Sequence, residues 1–325
     1  MKKNPGILCW ACWSVAILML VGCAAKKPAM TTDPELSRVA GVARMSFEQG
    51  SLEQSARLYA RALRIARKMD DAREVGSNAY NLAACLAELG RYPEALGYLH
   101  EAQAEFDRAG RPLADVLLLK AKIALLDGRY DEALSYGDQV VPAAQKPGQD
   151  SYAVQVMLLR TDVAIARGSM AEAQAEFDRA KKEVQRIRDP LLNAQAAGVE
   201  GRILQLAGSF TQAAEGFDRQ AELLRGVARF REMAHALGRA GEAYQQAGLF
   251  APAGDRFYRA ARSLYAQGDD LMALKMIQAA LAAGEKSGDE NAFRSIAALF
   301  EEVRARVENS VKKSPTETSN DAGDI

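Results

Sequence analysis

The chain is poor in several residue types, and each shortage limits what the protein can be. Both tryptophans lie at positions 10 and 13, and aromatic residues make up only 7% of the 325 positions. Three of the four cysteines lie within the first 23 residues, and Cys85 is the only one in the rest of the chain. A single thiol excludes an intramolecular disulfide framework. Acidic and basic side chains balance at 42 each, so no basic surface for nucleic acid is indicated.

Long hydrophobic runs are also lacking, apart from one short segment near the N-terminus. This mostly apolar segment, residues 7–21, follows Lys2 and Lys3. A membrane-spanning helix needs about 20 apolar residues, so the segment is too short to span a bilayer. Its charged start and apolar middle are typical of a secretory signal. The four residues that close it, Leu-Val-Gly-Cys at 20–23, resemble the lipobox of bacterial lipoproteins.

The lipobox resemblance implies a location for the mature chain. In that family the cysteine becomes the lipidated first residue, so residues 1–22 are predicted to be a signal peptide and Cys23 to carry the lipid. Ala24 stands where an aspartate would signal retention at the inner membrane, so the resemblance implies an outer-membrane lipoprotein that faces the periplasm. Residues 23–32 are predicted to form a lipidated tether. The alternative is an ordinary signal that is cleaved nearby, with Cys23 incidental.

What the rest of the chain does contain is a glycine that returns at intervals of 40 residues, with one interval of 38. The seven positions are Gly50, Gly90, Gly128, Gly168, Gly208, Gly248 and Gly288. Apolar residues on both sides recur at the three- and four-residue steps of amphipathic helices, whereas strand signals are absent. Self-similarity at a period of 20 to 50 residues indicates stacked units. Each unit is predicted to be a helix pair in which the glycine ends the first helix.

The segments that begin at these glycines resemble tetratricopeptide repeats. Residues 90–96 read GRYPEAL and residues 128–134 read GRYDEAL, as in the turn and second-helix start of that family. Small residues stand five and twelve positions after most of the glycines, and an aromatic residue often stands nine after. Repeats of about 40 residues are found in longer-helix members of the family, including sensor domains of transcriptional activators. The resemblance implies an all-α fold, a right-handed α-solenoid of about seven tetratricopeptide-like helix pairs.

The helical pattern and the composition indicate the domain boundaries. The solenoid is predicted to occupy residues 33–310, and residues 311–325 are polar and predicted to be disordered. In the seventh unit Phe293 and Phe300 stand where small residues are expected. A terminal repeat has no following neighbour to contact, so a capping helix pair is predicted from about residue 269.

Catalytic and metal-binding patterns are absent from the sequence. The mature chain has two histidines, His100 and His235, which belong to different repeats. No phosphate-binding loop in a strand–helix context and no nucleophile–base arrangement is recognisable, and acidic residues recur at the helical intervals of a solvated face. The chain is therefore predicted to be no enzyme and to have no catalytic residues, no metal site and no cofactor.

Charged residues share one position of the repeat, six residues before the glycine. In the tetratricopeptide fold this position lies on the first helix of each pair and faces the concave groove. The predicted groove set is Arg44, Asn81, Lys122, Asp162, Arg202 and Glu242. Asn81 belongs to it through the carboxylate clamp of chaperone-binding repeats, although Asp115 and Leu119 stand where that clamp needs basic residues. Eight residues before the glycine, Lys120, Arg160 and Glu200 are predicted to add to the groove.

Two interpretations of the alternating charges remain open. Adjacent repeats can neutralise one another through exposed ion pairs worth roughly 0–1 kcal/mol each, or the groove can bind a partner by complementary charge. The predicted function is a lipid-anchored periplasmic scaffold or assembly factor that binds another envelope protein. Pilus, secretion, barrel-assembly and polysaccharide-export complexes are the candidate machines. The alternative is a groove-based sensor of a peptidoglycan fragment or sugar, although the groove position holds no aromatic residue.

Overall fold

The structure is a computed structural model that describes residues 33–144, 149–288 and 290–313. Every element in these ranges is a helix. The helices are α1 (Pro34–Glu48), α2 (Leu52–Lys68), α3 (Ala72–Glu88), α4 (Tyr92–Arg108), α5 (Ala114–Leu126), α6 (Tyr130–Ala143), α7 (Gln149–Ala166), α8 (Met170–Ile187), α9 (Pro190–Leu206), α10 (Phe210–Gly226), α11 (Phe230–Gln246), α12 (Phe250–Ala266), α13 (Asp270–Ser287) and α14 (Glu290–Lys313). The predicted signal peptide and tether lie outside the described residues, as does most of the predicted tail.

Seven helix pairs follow from the seven periodic glycines. Each of these glycines has a φ between 71° and 79°, the left-handed region that other residues enter at a cost. At the second turn the Gly90 N–H donates to the Ala87 carbonyl at 3.0 Å, and the Arg91 N–H donates to the Leu86 carbonyl at 2.8 Å. These two bonds satisfy carbonyls that the end of α3 leaves free. The prediction that the glycine ends the first helix of each pair is confirmed.

The two helices of a pair approach closely because small residues stand at their contacts. The alanines five positions after the glycines are all 0% exposed, and they are Ala95, Ala133, Ala173, Ala213 and Ala253. A Cβ atom added to Gly201 would lie 2.7 Å from the Phe217 ring, and one added to Gly241 would lie 2.8 Å from Phe257. Close packing of this kind leaves no room for a larger side chain. The predicted helix–helix contacts are confirmed.

Cys85 is part of this core. Its side chain is fully buried, and its Sγ lies 3.3 Å from the Ser55 Oγ. Burial raises the pKa of the Cys85 thiol to about 11. The thiolate is therefore disfavoured at neutral pH, and the residue behaves as a small core side chain.

The last pair, α13 and α14, packs onto α12. Arg306 lies with its guanidinium 3.6 Å from the centre of the Tyr265 ring, and its Nε donates to Asp270 Oδ1 at 2.7 Å. Ile296 and Val303 of α14 are buried in the same hydrophobic cluster as Ile277 of α13. Helix α14 continues to Lys313, so the predicted boundary at residue 310 falls inside a helix.

One contact joins repeats that are distant in sequence. Arg231, at the start of α11, donates from Nη1 to the Gly50 carbonyl at 3.0 Å, and its Nη2 lies 3.1 Å from Asp269 Oδ2. The seam between the α1–α2 turn and α11 is lined on one side by Phe47 and on the other by Phe230. The first and sixth helix pairs therefore meet, and the inner, odd-numbered helices curve around a common concave surface. None of the described helices is both long enough and apolar enough to span a membrane.

Candidate functional site: the concave groove

The inner helices α5, α7 and α9 form a cavity of about 220 Å³ on the concave surface. Three members of the predicted groove set, Lys122, Asp162 and Arg202, line it together. The remaining lining residues are three amides, Gln155, Gln195 and Gln220, and four aliphatic residues, Leu125, Leu158, Leu159 and Val199. We call this feature the groove cavity. The lining of the cavity thus combines side chains of opposite charge, amides and aliphatic groups.

Helical spacing explains why the amides and the charges share one wall. Gln155 and Asp162 are seven residues apart on α7, as are Gln195 and Arg202 on α9. Seven residues are about two turns, so each pair projects from the same face of its helix. The sequence analysis did not single out the two glutamines. Their signal was available, because they occupy the same position of consecutive repeats, one heptad before the charged position.

The charges of the groove cavity are only partly paired. Arg202 forms an ion pair with Asp162, and their side chains are 31% and 28% exposed. Within the described residues Lys122 forms no ion pair, although Asp162, Glu88 and Asp115 all act on it from longer range. Lys122 remains open to water, but the concave wall surrounds it, and this partial desolvation lowers the pKa of its ammonium group. Lys122 therefore carries a charge that no neighbour neutralises directly.

A third cation near the groove, Arg239 on α11, was missed by the sequence analysis. Its Nη2 donates to Gln220 Oε1 at 2.9 Å, and its guanidinium lies 5.2 Å from the centre of the Phe217 ring. Burial and the nearby Arg202 lower the pKa of Arg239 to about 10. No carboxylate of the described chain forms an ion pair with it. The sequence could have indicated this residue, because Arg239 lies one helical turn before Glu242 and on the same face of α11.

Three other members of the predicted set lie apart from the groove cavity. Arg44 is exposed on α1, where its Nε lies 3.9 Å from Glu48 Oε1 of the same helix. Asn81 is half-buried on α3, and Glu242 is exposed on α11, close enough to act on Arg239. The structure therefore brings together the middle of the predicted set and separates its ends.

The prediction that Lys120, Arg160 and Glu200 add to the groove is wrong. Lys120 is 2% exposed and donates from Nζ to Gln103 Oε1 on α4 at 2.6 Å. Arg160 and Glu200 pair at 2.7 Å with residues of the outer helices α6 and α8, and these residues are Asp138 and Lys181. These three positions precede the groove position by two residues, which is about 200° around a helix. They consequently face the second helices instead of the groove.

Aromatic side chains do reach the groove at its N-terminal end. Tyr80 lies four residues before Ala84, the groove position of the second repeat, and so shares its face. Tyr152 donates from its hydroxyl to Asp115 Oδ1 at 2.7 Å. Burial, with the nearby Asp115 carboxylate, raises the pKa of Tyr80 to about 12. Both phenols therefore stay protonated at neutral pH.

Metal-binding clusters were also sought. In the described part of the chain no group of three acidic, histidine or cysteine side chains is arranged to hold a metal ion.

Comparisons with known proteins agree with the helical-repeat fold. Residues 74–146, which begin in α3 and include α6, match the family model of the tetratricopeptide repeat. A Rap protein in complex with Competence and Sporulation Factor is 14% identical, with a TM-score of 0.55, and the match covers 86% of this chain and 90% of that one. A signal-transduction ATPase with a tetratricopeptide repeat sensor, from Pyrococcus horikoshii, is 14% identical with a TM-score of 0.50. That match covers 86% of this chain and 43% of the ATPase, so this chain spans less than half the ATPase's length.

No curated protein matches the chain significantly. At 14% identity the solved structures show a shared fold and nothing more. The fold is thus an all-α repeat of the tetratricopeptide type, an α-solenoid, as the periodic glycines predict.

Proposed function

We propose that the chain is a non-enzymatic scaffold that binds a segment of another protein in the concave groove. The observation that carries this proposal is the groove cavity, in which an uncompensated lysine, three amides and an aliphatic floor converge. Its volume of about 220 Å³ is below the 300–1,000 Å³ usual for drug-sized ligands. It suits one or two side chains of a longer segment. The similar Rap protein was solved in a complex with Competence and Sporulation Factor, which supports a partner-binding role for the fold.

The proposal is tested by filling the groove cavity. Gln195→Trp places an indole in the cavity, whereas Gln185→Trp places the same indole at an exposed position of the outer helix α8. We expect Gln195→Trp to abolish capture of crosslinked partners from envelope preparations while the melting temperature changes little. Gln185→Trp should retain capture. Equal capture by both variants would show that the partner binds elsewhere.

We further propose that Cys23 anchors the scaffold by a lipid at the outer membrane, facing the periplasm. The lipobox and the short apolar run of the signal support this location, and the partner would then be an envelope protein of a pilus, secretion, barrel-assembly or polysaccharide-export complex. A lipid contributes about 0.8 kcal/mol of membrane affinity per buried CH₂. Cys23→Ala should block lipoprotein processing, so the chain should retain its signal or be cut elsewhere by ordinary signal peptidase. Mass spectrometry of the wild-type chain would contradict the anchor if it showed an unmodified N-terminus at Cys23.

A sensor of a small ligand such as a peptidoglycan fragment or sugar is the second candidate. Tyr80 and the bonded pair of Asp115 and Tyr152 favour it, because an aromatic face beside a carboxylate suits a polyhydroxylated ring. Tyr80→Ala separates the two candidates. It should abolish binding of a muropeptide or sugar, while a protein partner held at the groove cavity should still be captured.

A further inference from the structure

We propose that the outer helix α2 docks the first helix pair on an anionic membrane surface, an inference that rests on the proposed lipid anchor at Cys23. The docking surface consists of four cations, which we call the basic stripe: Arg57, Arg61, Arg64 and Lys68. Its ligands are the phosphate groups of anionic phospholipids in the membrane that holds the anchor. Docking through the basic stripe fixes the orientation of the anchored solenoid.

The first argument is the spacing of the four cations along α2. They are separated by steps of four, three and four residues, so they lie on one face of the helix. All four are exposed, whereas the opposite face, which includes Tyr59, Ala62 and Leu63, is buried in the core. At 1.5 Å per residue, the basic stripe therefore presents four positive charges over about 16 Å of helix.

The second argument is that nearby carboxylates neutralise little of this charge. Helix α2 contains five basic side chains and a single acidic one, Glu53, although the two signs balance over the whole chain. Arg61 pairs with Glu35 of α1 at 2.5 Å, but the other three cations of the stripe form no ion pair with any described residue. The next outer helix, α4, has the opposite bias, with four acidic side chains and one arginine. The excess positive charge of α2 does not continue onto this neighbour.

The third argument is where the basic stripe lies relative to the proposed anchor. The bond between Arg61 and Glu35 holds the stripe beside the start of α1. The predicted tether, residues 23–32, precedes that helix, and ten residues span at most about 35 Å when fully extended. A lipid at the start of the tether therefore keeps the stripe within reach of the membrane surface. Lys26 and Lys27 belong to the tether and add two positive charges.

An anionic bilayer suits the basic stripe because the stripe lies on the outer, convex side of the solenoid. Each basic residue near an anionic membrane strengthens association about fivefold. This attraction acts over a Debye length of about 8 Å at physiological salt, so it requires the short reach that the tether provides. The groove cavity lies on the inner helices α5, α7 and α9, whereas the stripe lies on an outer helix. Docking through α2 thus leaves the groove open for the partner.

Vesicles that hold the full, lipidated chain test the basic stripe. A polarity-sensitive dye is attached at Gln54→Cys, which extends the exposed face of the stripe, or at Ala175→Cys on the exposed face of α8. Cys85 is fully buried and stays unlabelled. In vesicles that contain phosphatidylglycerol, the dye at position 54 should emit at a shorter wavelength and be quenched by spin-labelled lipid. In pure phosphatidylcholine vesicles it should show neither effect, and the dye at position 175 should not distinguish the two vesicles.

Salt separates docking of the basic stripe from attachment by the lipid. A salt concentration of 1 M shortens the Debye length to about 3 Å. We expect the dye at position 54 to lose its shift and its quenching under these conditions, while the chain stays bound to the vesicles through its lipid. A dye signal that 1 M salt leaves unchanged would show that apolar contact, and not the charge of the stripe, holds α2 at the membrane.

Triple variants identify the charges responsible. Arg57→Gln, Arg64→Gln and Lys68→Gln together should lower the ratio of docked to undocked protein about a hundredfold, since each cation contributes about fivefold. Arg57→Glu, Arg64→Glu and Lys68→Glu together should instead dock on vesicles that contain a cationic lipid, which an unfolded variant cannot do specifically. The matched control removes three exposed cations elsewhere and should dock like the wild type: Lys182→Gln, Arg188→Gln and Lys275→Gln.

The same preparations distinguish failure of the basic stripe from failure of the anchor. Equal emission of the dye at position 54 in the two kinds of vesicle, or equal docking of the glutamine variant and its control, would overturn the stripe. An acidic protein as the true partner of the stripe would give this result. If mass spectrometry then showed a lipidated chain, the anchor would stand. An unmodified Cys23 would overturn the anchor, and the inference with it.

Discussion

At the scale of single residues, the solenoid depends on small side chains at the contacts between helices. Ala173 is 0% exposed at the contact between α8 and its neighbours, whereas Ala175, two residues further along the same helix, is exposed. Ala173→Leu should lower the free energy of unfolding by about 1–3 kcal/mol because the added atoms overpack the contact. Ala175→Leu should change it by less than about 0.5 kcal/mol. Urea denaturation of both variants checks the repeat register, and equal tolerance would show that the register is wrong.

His235 is the residue whose titration should be visible in stability. Burial lowers its pKa, with Arg231 and Arg239 acting in the same direction and Asp269 and Glu232 opposing. The unfolded chain therefore binds the proton more readily than the folded one, so stability should fall as the pH drops below about 6.5. His235→Gln should lose less stability than the wild type between about pH 7 and pH 5. Parallel pH profiles of melting temperature for the two proteins would contradict this prediction.

At the scale of the elements, the turn glycines set where each helix stops. Gly208 has a φ of +76° and no neighbouring atom within 4 Å of an added Cβ, so Gly208→Ala tests conformation without a steric clash. The left-handed backbone should cost about 1–2 kcal/mol of stability. Gly97 lies inside α4, with equally open space, and Gly97→Ala should instead stabilise by about 0.5–1 kcal/mol. Chemical denaturation should thus give opposite signs for the same substitution, and equal signs would contradict the assigned turns.

At the scale of the elements, the helix pairs could be predicted from the sequence, but only some of the groove residues could. The helix pairs were predictable because one residue type, glycine, is required at each turn and recurs. Lys122, Asp162 and Arg202 were predictable because the repeat fixes one inward position. Lys120 was misplaced, since a shift of two residues reverses the face of a helix. Gln155 and Arg239 were missed because a polar residue on a helix is usually solvated, and only curvature shows which polar face lines a groove.

At the scale of the whole molecule, the contact between the first and sixth helix pairs could not be predicted from the sequence pattern. Arg231 and Gly50 are 181 residues apart, and their contact results from small rotations that add up over five repeats. Neither residue carries a local signal of the other. A solenoid is otherwise stabilised by contacts between neighbouring repeats, so this contact has a separate role in holding the two ends together.

Arg231→Ala should therefore open the molecule without unfolding it. The variant loses the bond to the Gly50 carbonyl and the ion pair with Asp269. The Arg231 side chain is 19% exposed and the Asp269 side chain 17%. Small-angle X-ray scattering should show a larger radius of gyration, with helix content unchanged by circular dichroism. Arg229→Ala is the matched control: Arg229 lies in the same seam, but among the described residues its one ion pair is with Glu232 on its own helix turn, at 3.5 Å. The same radius for Arg231→Ala and wild type would show that the seam does not hold the ends together.

The most direct test of the concave groove as the partner-binding surface is a map of crosslinks in living cells. A photo-crosslinking amino acid is placed at Gln155, on the wall of the groove cavity, and in a second strain at Ala175, on the exposed face of α8. Both strains express the full chain at the same level. We expect a discrete crosslinked partner from position 155 and none from position 175. A partner that crosslinks from position 175 alone would show that the outer face, and not the groove, binds it.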